Sequence, residues 1–184
     1  RGQGAVEEAG VLGTLSGVAR RGDRRAEGVN RIQQKAVDIT AAANAQTPYQ
    51  KAKAIETVRR TNFTYALTPG STPQGRDPID YFLFTSKKGY CEFFATAMGD
   101  MLRSLGIPTR LVNGFGPGEF DPTSHAYVVH EDDAHTWVES YFPGYGWIPF
   151  EPTSDGNGTY NPIARGTLGG HPCVTDSQCN TQTP

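Results

Sequence analysis

Three side chains of different chemistry stand where nucleophilic catalysis would want them: Cys91, His135 and Glu151. Cys91 follows Gly89-Tyr90 and opens a stretch whose apolar residues, Phe94, Ala95, Met98, Leu102 and Leu105, recur at helical intervals. In the first turn of a helix the backbone N–H groups have no intrahelical acceptor, and the positive end of the dipole favours a thiolate. The same N–H groups can face the oxyanion of a tetrahedral intermediate. A free cysteine also packs well as a small hydrophobe, so the thiol needs a base before it reads as a nucleophile.

His135 is the base that the sequence offers. His125 and His130 bracket a strand and His171 lies in the tail, positions that read as structural or solvated. His135 starts the stretch 134–139, where alternation puts His135, Trp137 and Glu139 on one face and Thr136 and Val138 on the other. From a strand start the imidazole is expected to project toward a helix packed over its face. Glu151 ends the aromatic stretch 147–150 and precedes Pro152, and the turn at 143–146 brings it back beside the His135 strand. There it can accept a hydrogen bond from the imidazole and fix its tautomer. Together the three predict attack of a thiolate on an amide carbonyl, protonation of the leaving amine by His135, and a thioester released to an amine or to water. Tyr90 and Trp137 are candidate walls of the substrate site.

The elements that must position these residues follow from composition and period. The length of 184 residues suits one domain. Residues 1–25 are rich in Gly, Arg and Ala and read as a flexible basic leading segment; 26–160 form the catalytic domain, and 161–184 an irregular tail. Helices are predicted over 26–45 and 49–61, and a short one from Asp77-Pro78 to about Lys87. The Cys91 helix is stopped by Gly106 and Pro108. Four strands follow, at 110–115, 126–130, 136–142 and 147–150. Helices first and an antiparallel sheet second make an α+β layout.

Charge and apolar runs exclude other classes. Seventeen basic and nineteen acidic residues give a net charge of −2, without the basic patch that nucleic acids demand. No run approaches the roughly 20 apolar residues of a spanning helix. The start at Arg1 and the end at Pro184 predict a soluble piece of a longer protein. Cys173 and Cys179 either bridge each other, which would imply an oxidising compartment, or remain two free thiols. His130 and His135 are one position too far apart for the helical metalloprotease pattern, and Glu131, Asp132 and Asp133 read as solvated charge rather than a calcium site. Neither a metal nor a cofactor is expected.

Four blocks resemble the bacterial transglutaminase-like core domain: Gly89 to Ala95 (GYCEFFA), Leu102 to Arg110 (LRSLGIPTR), Asp133 to Glu139 (DAHTWVE) and Gly146 to Thr153 (GWIPFEPT). They fall in family order, within a resemblance running from about Tyr49 to Thr153. It implies a papain-like arrangement, with a Cys-bearing helix packed on a sheet that carries a histidine and an acid, and Cys91 and His135 match directly. Glu151 stands where the family usually has aspartate, which changes reach but not charge. The resemblance further implies a protein or peptide substrate and an extracytoplasmic domain tethered to membrane segments. A peptidase or amidase with the same triad, or a catalytically weak binding domain, are the alternatives.

Overall fold

A computed structural model describes residues 30–116, 118–154, 167–168 and 171–172. The leading segment 1–25, Cys173 and Cys179 lie outside the described residues, so the pairing of those two thiols does too.

The first described helix, α1, covers 30–42 and buries Ile32, Ala36 and Ile39 on one face. Helix α2 (Pro48–Asn62) starts at a capping box: Thr47 Oγ1 accepts the Gln50 N–H, and the Gln50 side chain accepts the Thr47 N–H. Sequence periodicity points Ala52, Ile55 and Val58 inward. Instead Val58 is half-buried, and the fully covered stripe is Ala52, Ile55, Glu56 and Arg59. After the short strand β1 (Thr64–Tyr65), Asp77 caps α3 (Pro78–Tyr81), which continues into a wide π turn, Phe82–Ser86. Strand β2 (Lys88–Gly89) pairs in parallel with β1 and delivers the chain to helix α4 (Cys91–Ser104).

Helix α4 is the spine of the core. Phe94, Ala95, Ala97, Met98, Met101 and Leu102 are all fully buried. Its end is a Schellman motif: Gly106 has φ +75, its N–H reaches the Arg103 carbonyl, and the Ile107 N–H reaches that of Leu102.

The helix packs on a three-stranded antiparallel sheet of β3 (Thr109–Phe115), β6 (Ala134–Phe142) and β7 (Gly146–Phe150), with β6 central. The α+β expectation therefore holds, with one correction. The strand expected at 126–130 does not join this sheet; as β5 (Ala126–Val128) it pairs with β4 (Glu119–Asp121) in a separate hairpin between β3 and β6. Just past β3 the Gly116 N–H still reaches the Asp133 carbonyl, and Gly118, at φ +66, lies against the Val128 carbonyl where a Cβ would not fit. Within the tail, β8 (Thr167–Leu168) pairs with β9 (His171–Pro172), so 161–184 is not irregular throughout.

Candidate active site

Gly89 lets the cysteine reach the mouth of the helix. A Cβ there would sit 2.7 Å from the Phe93 Cβ, so only glycine allows β2 to run this close to the first turn of α4. Tyr90 is the extended N-cap, its carbonyl accepts the Phe93 N–H at 2.9 Å, and Cys91 is the first helical residue, half-buried. Cys91 therefore stands at the positive end of a helix, where its own N–H and that of Glu92 precede the first intrahelical bonds.

His135 and Glu151 meet across the sheet. The β6–β7 ladder ends at the pair Val138 and Phe150, and Glu151 follows directly. His135 Nε2 and Glu151 Oε2 are 2.6 Å apart, with the two side chains 9% and 0% exposed. With Nε2 donating to the carboxylate, Nδ1 is left for Cys91. The other carboxylate oxygen, Oε1, accepts the Thr153 N–H at 2.8 Å. The Glu151 backbone is gripped from helix α2: its N–H donates to Glu56 Oε1 at 2.9 Å, and its carbonyl accepts from Arg60 Nη1 at 3.3 Å.

These contacts shape the acid–base balance. Burial alone would raise the Cys91 thiol, but hydrogen bonds to His135 and to the backbone and hydroxyl of Thr136, with the charge of His135, hold it below the ordinary cysteine value. Burial would likewise lower His135, yet its hydrogen bonds to Cys91 and Glu151 and their charges raise it to about 9. Each group favours the charged form of the other, which is what a thiolate–imidazolium pair requires.

All three predicted reactive residues come together at one end of the α4–β6 seam, though not by the expected route. Along β6 the buried residues are Thr136, Val138, Ser140 and Phe142, and α4 covers that side. His135 belongs to the alternate set with Trp137 and Glu139, and meets Cys91 at the end of the sheet rather than beneath the helix. The difference arises because period reveals two faces but not which of them a helix covers.

Tyr90 and Trp137 make packing contacts. The Tyr90 ring meets Phe93 edge-on at 5.1 Å. The Trp137 indole lies nearly parallel to the His135 ring, 6.4 Å away, and Gly114 opposite leaves room for it, since a Cβ would stand 2.8 Å from the indole. Sequence reasoning overlooked Thr136, Glu56 and Arg60. For Glu56 a signal was present: it continues the spacing of Ala52 and Ile55, and a carboxylate on a buried stripe needs a partner.

A helix that opens on a cysteine, an adjoining antiparallel sheet that carries a histidine, and an acid just past the end of the next strand define the papain-like fold class. Within that class the chain belongs to the transglutaminase-like superfamily, which it matches over residues 33–152. It is 40% identical over 129 residues to the uncharacterised protein YebA of Bacillus subtilis, covering 67% of this chain. It is also 40% identical over 116 residues to a protein-glutamine gamma-glutamyltransferase of Pseudomonas aeruginosa, covering 63% of this chain. In each case the match spans only 17% of the relative. Among solved structures it is similar to the periplasmic domain of TgpA from Pseudomonas aeruginosa bound to ethylmercury, with TM-score 0.60 and 35% identity, over 68% of this chain and 44% of that one. The same domain without that compound matches with TM-score 0.58 and 35% identity, over 66% and 41%.

Proposed function

We propose that this chain catalyses acyl transfer on protein amides, with Cys91 as nucleophile, His135 as general base and acid, and Glu151 as the group that orients His135. The observation that carries this is the 2.6 Å contact between His135 Nε2 and Glu151 Oε2, at a histidine whose influence helps to hold the Cys91 thiol, in the first turn of a helix, below its ordinary value. The thiolate attacks the carbonyl carbon of a glutamine side chain, and the oxyanion faces the N–H groups at the start of α4. Collapse of the intermediate breaks the C–N bond, the imidazolium gives its proton to the departing nitrogen, and ammonia leaves. The resulting thioester is attacked by a primary amine, whose proton passes to His135; a new amide forms and the thiolate returns.

An amine rather than water as acceptor is supported by the relative named as a glutamine gamma-glutamyltransferase. The catalytic unit in this reading runs from about 26 to 160, with 1–25 and 161–184 flanking it. The likeness to a periplasmic domain supports an extracytoplasmic location, with tethering to membrane segments of a longer protein.

The test is incorporation of a labelled primary amine into casein. Activity is expected in the unaltered chain, with a loss of at least about 10⁴-fold in Cys91→Ala. Release of ammonia or of new peptide termini without amine incorporation would replace transfer by hydrolysis.

A further inference from the structure

We propose that Glu56 is a positioning residue for this site: from helix α2 it sets where Glu151 stands, and through Glu151 it sets the imidazole of His135. The proposal rests on the triad read above, but it concerns a residue that touches neither the thiol nor the imidazole.

Glu151 lies one residue beyond the last rung of the β6–β7 ladder. Its backbone is therefore without the strand pairing that holds Phe150. Pro152, which follows it, has no N–H to contribute. What holds the Glu151 peptide groups instead is α2. Glu56 is 1% exposed, and its Oε1 accepts the Glu151 N–H at 2.9 Å in a buried contact 95 residues apart in sequence. Its Oε2 is held by Lys53 Nζ at 2.7 Å, so the carboxylate has both oxygens engaged and its charge countered. One turn further along α2, Arg60 reaches the Glu151 carbonyl.

A carboxylate buried this deeply is tolerated only while it keeps its partners, so Glu56 and the Glu151 peptide form a stiff unit. Stiffness matters because the Glu151 carboxylate is buried with both oxygens engaged, so a shift of its backbone cannot be taken up without moving those contacts. Its carboxylate can meet Nε2 at one distance only if its backbone origin does not move, and a displacement of about 1 Å at a catalytic group can cost on the order of 10²-fold in rate.

The test follows alkylation of Cys91 by iodoacetamide across pH in the full chain, using Glu56→Ala, Glu56→Asp, Glu56→Gln and Arg60→Met, each with Glu151 and in a Glu151→Ala background. Glu56→Ala is expected to slow alkylation at neutral pH about tenfold and to move the half-maximal rate to higher pH. Glu56→Gln keeps an acceptor for the Glu151 N–H and should restore most of the rate. In the Glu151→Ala background, loss of Glu56 should change the rate less than about twofold, because its effect has no route left. Equal slowing with and without Glu151, or an unchanged rate and midpoint in Glu56→Ala, would overturn the proposal. If Glu56→Ala does not fold, Glu56→Asp, whose shorter carboxylate draws back from the Glu151 N–H, decides in its place: slowing that depends on Glu151 supports the assignment, and equal slowing in both backgrounds rejects it. Arg60→Met, which removes the other α2 contact to the same peptide, should show the same dependence on Glu151. Alkylation needs no acyl donor or acceptor, so failure of amine incorporation would count against the proposed function and not against Glu56.

Discussion

Helix α2 buries two charged residues within one turn of each other, and their surroundings could hardly differ more. At Glu56 each carboxylate oxygen has a partner, Lys53 on one side and the Glu151 N–H on the other. Arg59 is 0% exposed, yet its Nε, Nη1 and Nη2 have no hydrogen-bond partner among the described residues. Its guanidinium lies over the Phe63 ring, 3.8 Å from the centroid, and burial pushes its pKa down to about 9. A cation over an aromatic face recovers up to about 2 kcal/mol, whereas an unpaired buried charge costs several. The side of α2 facing Glu151 holds atoms in place through directional bonds. The side facing Phe63, Phe82 and Phe94 fills space with rings in tilted and edge contacts. Activity should depend on the first side and stability on the second.

The sharpest break of that contrast is at the triad. His135→Ala should lower amine incorporation on the order of 10³–10⁴-fold, and the pH of half-maximal Cys91 alkylation should rise, since the partner that stabilises the thiolate is gone. The linkage sign can be checked in the same pair of proteins. The folded-state pKa of His135, about 9, lies above its ordinary value of 6.5, so protonated His135 stabilises the fold fully below 6.5. That contribution is lost as pH rises through about 9. The difference in Tm between the unaltered chain and His135→Ala should shrink over that interval; a difference constant from pH 6 to 10 would contradict the raised pKa.

Glu151→Gln keeps the volume but removes the charge, and a fall in rate of about 10²-fold is expected with the melting transition still cooperative. Glu151→Asp, one methylene shorter on a backbone that α2 holds in place, should lose about tenfold, because the carboxylate no longer reaches Nε2 at 2.6 Å. The smallest effect on activity belongs to the aromatic side. Arg59→Met is expected to leave amine incorporation within about twofold and to raise stability at pH 7 by ~1 kcal/mol or more, read as a higher Tm. The sign follows from the depressed pKa: the cost of the buried cation is full below about 9 and is relieved as pH climbs above it. A drop in Tm would mean that the guanidinium has found a partner.

Much of this was legible in the residues alone. Gly89, the helical spacing from Phe94 to Leu102 and the stop at Gly106-Pro108 place a cysteine in the first turn of a helix, because steric and capping rules act over a few neighbouring residues. Alternation from His135 onward and the turn at 143–146 put Glu151 beside His135 for the same local reason. The hairpin of β4 and β5 could not be read this way: Tyr127, Val128 and Val129 look like core, yet they are exposed, and nothing local records whether a strand finds a place in the sheet.

Glu56 marks the boundary most clearly. Its position on a buried stripe shows in the spacing of α2, but its partner is 95 residues away. Local chemistry selects which segments become helix and strand and which side chains are reactive. Which face α4 covers, and which distant peptide a buried carboxylate holds, depend on how those segments pack. Such contacts form between surfaces that are remote along the chain, and a bond of that kind leaves no periodic trace in either segment that makes it.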